Sequence, residues 1–247
     1  MNAEPAVQLR LLDLQALDVR LDQIEHRRRT LPQLAQIAEL EGRVNAVRDR
    51  VVAAETEVSD LERAMAKAET DVEQVRARAR KDQELLDSGR IGSAKELENL
   101  QREIESLARR QGDLEDAELE VMEKLEDARS ALASLTAERD AVAADLDRLA
   151  AERDAALADA DKDAGWVRQE RAVVVPDIPA DLIALYDRLR ADHGGVGAAA
   201  LHQRRCEGCR MELTPTDLVR IRDAAPDALL RCEECRRILV RTPESGL

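Results

Sequence analysis

Phenylalanine is absent from this 247-residue chain, tryptophan and tyrosine occur once each (Trp166 and Tyr186), and only four cysteines are present. With so few aromatic side chains and 36% charged residues, the composition argues against a large globular core. No stretch approaches the roughly 18 consecutive apolar residues of a membrane span. Residues 1–10 carry Glu4 and Pro5 where a secretory leader would have a basic stretch and an apolar run. The expectation is a cytoplasmic protein with no membrane partner, in a compartment where thiols stay reduced. Also missing are a glycine-rich phosphate loop, a paired acid and base, and a Ser/His/Asp or Cys/His arrangement, so neither an enzyme nor a small-molecule substrate is expected.

What the chain does have is heptads. From residue 37, Ile37, Val44, Val51, Val58, Met65 and Val72 recur every seven positions, with Leu40, Val47, Ala54, Leu61, Ala68 and Val75 as the companion column. A 3.5-residue apolar period keeps one seam facing a partner helix, which is the requirement for a coiled coil. Leu100, Leu107, Leu114, Val121, Ala128, Leu135, Val142, Leu149 and Ala156 repeat the pattern, although Gln111, Glu118, Arg139 and Arg153 interrupt their companion column. Between the two sets, Asp87-Ser88-Gly89-Arg90-Ile91-Gly92-Ser93 reads as a turn, and Ser93 with Glu96 forms a capping box for the helix that follows. A turn centred near residue 90 folds the helices antiparallel and sets Val72 near Leu107.

Upstream, Val7, Leu14 and Leu21 with Leu17, Ile24 and Leu31 form a separate helix that Pro32 terminates. The basic run His26-Arg27-Arg28-Arg29 suits a helix C-terminus. Downstream, Val173-Val174-Val175-Pro176 and Ile178-Pro179 read as an extended connector. The expected fold is mainly α: a long antiparallel coiled-coil hairpin followed by a small α+β domain that holds all four cysteines as two Cys-x-x-Cys pairs, the pattern of a C4 zinc ribbon. Residues 1–163 form the hairpin module (1–31 the N-terminal helix, 32–86 and 94–163 the hairpin helices), 164–179 the connector and 180–247 the ribbon domain. The hairpin is expected to fold without the ribbon, and Trp166 and Tyr186 to act as packing anchors.

The four cysteines form two Cys-x-x-Cys pairs, Cys206/Cys209 and Cys232/Cys235, with 22 residues between them. Two such turns supply the four soft ligands of a tetrahedral zinc site, and four thiolates leave no open position for water or substrate, so one structural Zn²⁺ per chain is expected. A thioredoxin-like redox motif would need a βαβ unit around one pair, and structural disulfides would suit a secreted chain; the sequence supports neither context. Thr214-Pro215-Thr216-Asp217 caps a short helix between the pairs, and Ile238-Leu239-Val240 makes a closing strand.

Taken with Ser93-Ala94-Lys95-Glu96-Leu97, Arg109-Arg110, Leu114-Glu115-Asp116 and Arg237-Ile238-Leu239 after the second pair, the whole chain resembles a bacterial family of small proteins with an N-terminal coiled-coil hairpin and a C-terminal C4-type zinc ribbon. The resemblance implies ligand roles for Cys206, Cys209, Cys232 and Cys235, and a role as an adaptor in protein or nucleic-acid complexes, some members being linked to flagellar regulation. One departure is Arg236, where such ribbons often carry glycine to reach positive φ.

The net charge of −14 is uneven: residues 1–200 carry −15, and residues 201–247, with nine arginines against eight acids, carry +1. Arg204, Arg205, Arg210, Arg231, Arg236, Arg237 and Arg241 crowd the cysteine pairs and are the candidate partner-binding residues. They can bind RNA or DNA, or a protein face; they also offset the formal −2 of a Zn(Cys)₄ centre without any partner. An acidic, aromatic-poor chain favours a non-enzymatic adaptor or scaffold holding a protein partner through ribbon and coiled coil. The alternative is a regulatory protein that binds nucleic acid through the ribbon.

Overall fold

A computed structural model describes residues 1–247. The chain divides into two compact units, one of residues 35–150 and one of residues 1–34 with 151–247. Its helices are α1 (Pro5–Arg29), α2 (Pro32–Asp87), α3 (Ala94–Val174), α4 (Ala180–Asp192) and α5 (Pro215–Asp223). None is long and apolar enough to cross a membrane.

The unit of residues 35–150 is a hairpin of α2 and α3, as the heptads require. Val47, Val51, Val58 and Val72 on α2 and Leu107, Leu125, Ala128, Val142 and Leu149 on α3 are buried, a narrow seam two helices wide. Val58 clusters with Leu125 and Ala128, with Leu61, Met65 and Leu132 alongside. This register lies a few residues further along α3 than a turn centred at residue 90 implies. The six residues between the helices form an open loop, so the packing of the seam sets the register. The Ser93 hydroxyl accepts the Glu96 amide at 3.2 Å, the N-cap expected there. Arg50 with Glu138, Arg129 with Glu62 and Arg76 with Glu115 pair across the helices at 3.2, 2.6 and 2.7 Å; being exposed, such pairs each add well under about 1 kcal/mol.

The other unit departs from the expected plan at two points. The segment 164–174, read from sequence as the start of an extended connector, is helix: α3 continues to Val174, and only a 3-10 turn, Val175–Asp177, precedes α4. The β-branched residues disfavour helix by a few tenths of a kcal/mol each, and burying Ala164, Val167 and Val174 outweighs that. The helix stops where proline makes it stop. Likewise, α1 is no appendage of the coiled coil. Leu11, Leu14 and Leu17 share one core with Val167, Val174, Leu182, Tyr186, Leu189, Ala198, Ile238 and Val240, so α1 is part of the ribbon-bearing unit.

That unit carries a four-stranded sheet in the order β2-β1-β4-β3, from β1 (Ala198–His202), β2 (Arg205–Cys206), β3 (Leu230–Arg231) and β4 (Ile238–Arg241). β1 and β4 are parallel, Ala198 opposite Ile238 and Ala200 opposite Val240, and the outer pairs are antiparallel. Alternation along the strands sends Ala198, Ile238 and Val240 into the core with α1 and α4, and Ala199, Leu201 and Leu239 to the other face, among the cysteines.

Polar residues on α1 fix how it docks. The Gln15 amide donates to Gly195 O at 2.8 Å and its oxygen accepts from the amides of Gly197 at 2.7 Å and Ala198 at 3.2 Å, so it caps the start of β1. The Gln8 amide donates to Ala3 O at 2.8 Å and Pro226 O at 3.3 Å. Asp18, buried, accepts from Arg171 Nε at 2.8 Å and from the Tyr186 hydroxyl at 2.8 Å. Burial and that hydrogen bond push the Tyr186 hydroxyl well above its usual range, so it stays protonated and donating. Tyr186 is the packing anchor expected from sequence. Trp166 is not: it is 69% exposed on α3, and Ala164 and Val167 take the inward positions instead.

Removing Asp18 leaves the Arg171 guanidinium and the Tyr186 hydroxyl without their acceptor, so Asp18→Ala should destabilise this unit by about 3 kcal/mol. Tyr186→Phe, which removes one hydrogen bond, should cost about 1–2 kcal/mol. Denaturant titrations of the two variants check the order; equal midpoints for Asp18→Ala and the parent chain would overturn it.

Candidate metal centre

Both Cys-x-x-Cys segments fold into the same backbone loop. In the first, Arg210 N donates to Cys206 O at 2.7 Å and Cys206 N to Met211 O at 3.0 Å; in the second, Arg236 N donates to Cys232 O at 2.8 Å and Cys232 N to Arg237 O at 3.0 Å. The residue after each second cysteine turns the chain left-handed, with φ of 62° at Arg210 and 62° at Arg236. Arginine therefore takes the position at which glycine was expected in the second loop, at a backbone cost of order 1 kcal/mol. The same conformation at Arg210 was not foreseen, and the signal for it was its equivalent place in the first pair.

The loops bring the four sulfurs together. Cys206 and Cys235 Sγ lie 3.9 Å apart, Cys209 and Cys232 Sγ also 3.9 Å, and all four fall within 4.8 Å of one another. All are free thiols, far beyond the roughly 2.05 Å of a disulfide. A tetrahedral Zn²⁺ with Zn–S near 2.3 Å requires S···S separations of about 3.8 Å, so the cluster fits this ion. Its chemistry is consistent. Burial pushes the Cys206 thiol far above its usual range, with the neighbouring sulfur charges adding to the shift, and burial also raises Cys232. Burial would raise Cys235 too, but hydrogen bonds from the Arg237 backbone and side chain and from Cys232 and Cys209 bring it down to about 7. Four thiols this close cannot all ionise unaided, and a divalent cation among them removes that obstacle and displaces their protons. His26, His193 and His202 are not in the cluster.

Around the sulfurs a second core assembles from Ala199, Leu201, Leu213, Ile221 and Leu239, with Leu218 and Leu230 against it. Helix α5 contributes Ile221 and begins as the sequence indicates. The Thr214 hydroxyl accepts the Asp217 amide at 3.2 Å. Asp217 does not reach the free amides of the first turn; its carboxylate accepts the Thr214 hydroxyl at 2.6 Å.

The seven candidate arginines separate into two groups. Arg237 and Arg241 are half-buried and bonded to loop carbonyls, which gives them a role in the fold. Arg237 donates to Val196 O and His193 O, each at 2.9 Å, and lies across Gly208, where a Cβ would approach its Cδ to 2.8 Å. Arg241 donates to Ile221 O, Ala224 O, Ala225 O and Pro226 O at 2.6 to 3.2 Å, closing the end of α5. Arg241 thereby engages both terminal nitrogens, and Arg237 engages Nε and one terminal nitrogen. Arg204, Arg205, Arg210, Arg231 and Arg236 are exposed. Arg231 Nε donates to Arg236 O at 2.8 Å, Arg236 pairs with Glu233 at 3.2 Å, and Arg205 stands 4.0 Å from Glu212.

Comparison with known proteins agrees with this architecture. Residues 14–194 match the CT398-like coiled coil hairpin domain and residues 205–239 the C4-type zinc ribbon domain. An uncharacterized protein of Mycobacterium tuberculosis is 38% identical over 98% of both chains. A solved structure from Mycobacterium smegmatis has a TM-score of 0.84 at 35% identity, covering 98% of this chain and 100% of that one. CT398 from Chlamydia trachomatis superimposes with a TM-score of 0.66 at 19% identity, covering 96% and 98% of the two chains, and shares the fold. The chain belongs to the CT398-like coiled-coil hairpin family and carries that family's C4 zinc ribbon, a centre suited to a structural zinc ion.

Arg237→Ala should loosen the 193–197 loop and the second cysteine loop together and lower ribbon stability by about 2 kcal/mol, because two partly buried carbonyls lose a charged donor. Arg236→Ala, in an exposed pair, should cost less than about 1 kcal/mol. Thermal melts of the metal-replete proteins check the contrast, and equal losses would mean that the carbonyl bonds of Arg237 add nothing to stability.

Proposed function

We propose that this protein is a non-enzymatic adaptor whose zinc ribbon holds a protein partner, with the coiled-coil hairpin as a second binding surface. In this reading one Zn²⁺ per chain is held by Cys206, Cys209, Cys232 and Cys235. With all four coordination positions filled by sulfur, the ion supplies folding energy and leaves no site for substrate. The working location is the cytoplasm, where the thiolates stay reduced.

The observation that carries the reading is the make-up of the ribbon surface. With Arg237 and Arg241 occupied by carbonyls, the exposed arginines are interspersed with apolar Met211 and Val219 and with acids. Mixed surfaces with arginine and exposed apolar groups are typical of protein interfaces. Binding to RNA or DNA through Arg204, Arg205, Arg210, Arg231 and Arg236 is the alternative, favoured by the exposed position of Arg210 at the corner of the first loop.

Elemental analysis of metal-replete protein should give one zinc per chain. Chelation should unfold residues 198–241, since structural zinc contributes on the order of 10 kcal/mol in small metal domains. Affinity purification of the full chain should recover a stoichiometric protein partner that survives nuclease treatment and is lost from Cys232→Ser. Recovery of nucleic acid alone, with affinity falling log-linearly in salt, would replace the adaptor with the alternative. Full partner binding by Cys232→Ser would move the functional surface off the ribbon.

A further inference from the structure

Helix α5 has two working faces. Leu218 and Ile221 turn toward the core around the sulfurs. Pro215, Val219 and Arg222, at i, i+4 and i+7, line the adjoining side with Leu218 at its edge, and Val219 is 46% exposed.

Facing them is the tip of the β1–β2 hairpin. Because His202 pairs with Arg205, the turn has only two residues, Gln203 and Arg204, with φ of 46° and 66°. Such turns favour Asn-Gly, since both central residues must be left-handed. Gln-Arg is a poor choice on conformational grounds, and the chain holds it in place from outside. Gln203 N donates to Glu244 O at 2.8 Å, Arg204 N to Ser245 O at 2.9 Å, and Arg204 Nε to Gly246 O at 3.2 Å. Ser245 is itself buried, its hydroxyl donating to Leu201 O at 3.0 Å.

The outcome is an arginine fixed on one rim of a cleft of about 200 Å³, with Pro215, Leu218 and Val219 as floor, Arg222 on the rim and Leu247 beside it. Arg204 lines the cleft with its Nε bonded to Gly246 O and its terminal nitrogens free to donate. Arg222 meets only its neighbour Asp223, at 3.0 Å in an exposed pair. Strained backbone retained at an exposed position is an observation that points to use.

Building on the reading that the ribbon holds a protein partner, we infer that this cleft binds an acidic protein segment, seating one apolar side chain on Val219 and Leu218 with carboxylates on Arg204 and Arg222. Charge and shape both select that occupant. Guanidinium with carboxylate forms strong, directional pairs, and an aliphatic floor rewards an apolar side chain. Nucleic acid is the poorer match. Neither of the chain's two aromatic residues lines the cleft, Trp166 lying on α3 and Tyr186 buried in the core with α1, so there is no ring there on which to stack a base.

The test uses the full-length, zinc-loaded protein and three fluorescein-labelled probes: a 12-residue peptide with central leucines flanked by Asp and Glu, its Asn/Gln counterpart, and a 12-nucleotide single-stranded RNA. The acidic peptide should bind at least about tenfold more tightly than the neutral one, with little binding of RNA at physiological salt. Arg204→Gly should weaken peptide binding about tenfold while the melting temperature holds or rises, because glycine takes positive φ without the Cβ penalty. A purely structural Arg204 would give the opposite pattern. Val219→Glu should also weaken binding, through the floor. Equal binding of the two peptides, no binding of either, unchanged affinity in Arg204→Gly, or RNA binding that depends on Arg204 and Arg222 would each overturn the assignment. If Arg204→Gly still captures the nuclease-resistant partner that Cys232→Ser loses, the cleft is wrong and the adaptor reading stands. If the full chain captures no protein, the adaptor reading fails first.

Discussion

Leu11 and Leu14 of the first helix, both fully buried, sit against Tyr186 and Leu182 of α4 and against Ile238 and Val240 of the last strand. The ribbon-bearing unit depends on this contact. A sheet with two-residue edge strands and a nine-residue helix has too little apolar surface to stand alone, and a chain without phenylalanine cannot compensate with large side chains. The chain instead returns its own beginning to its end. The polar residues of α1 then fix the position of that helix: Gln15 by capping β1, Asp18 by joining Arg171 and Tyr186, and Asp22, whose two carboxylate oxygens accept from Arg190 Nη2 at 2.6 Å.

The sheet passes this constraint to the metal centre. Ala198, Ile238 and Val240 look toward α1 while Ala199, Leu201 and Leu239, one residue out of phase on the same strands, pack with Cys206 and Cys232. Two small cores thus share one layer of backbone. A cation held among the sulfurs would relieve their mutual repulsion and stabilise one face, while α1 packs on the other. The seam of the coiled-coil unit lies between α2 and α3.

Arginine has three separate duties in the ribbon, although its copies look alike in sequence. Arg237 and Arg241 replace missing backbone partners for loop carbonyls, Arg210 and Arg236 occupy left-handed corners, and Arg204 stands at a strained hairpin tip. The zinc charge alone does not account for this distribution. Carbonyl clamping explains the half-buried pair.

The hairpin and the four-sulfur site were legible from residue order because both rest on short-range regularities: a seven-residue apolar period that needs only a matching seam, and two Cys-x-x-Cys turns whose ligands sit a fixed distance apart. The ends of helices set by Ser93 and Thr214 were legible for the same reason, a side chain bonding an amide three residues on. Only the tertiary structure decided that α3 runs to Val174, that Trp166 faces solvent while Ala164 and Val167 face inward, that Arg237 and Arg241 belong to the fold, and that α1 completes the ribbon-bearing unit. Each of these turns on which surface meets which across more than a hundred residues of intervening chain, or on loop carbonyls whose lack of partners no residue type announces. Burial free energy summed over such contacts exceeds the tenths of a kcal/mol of local preference on which a reading of residues 164–179 or 1–31 relies.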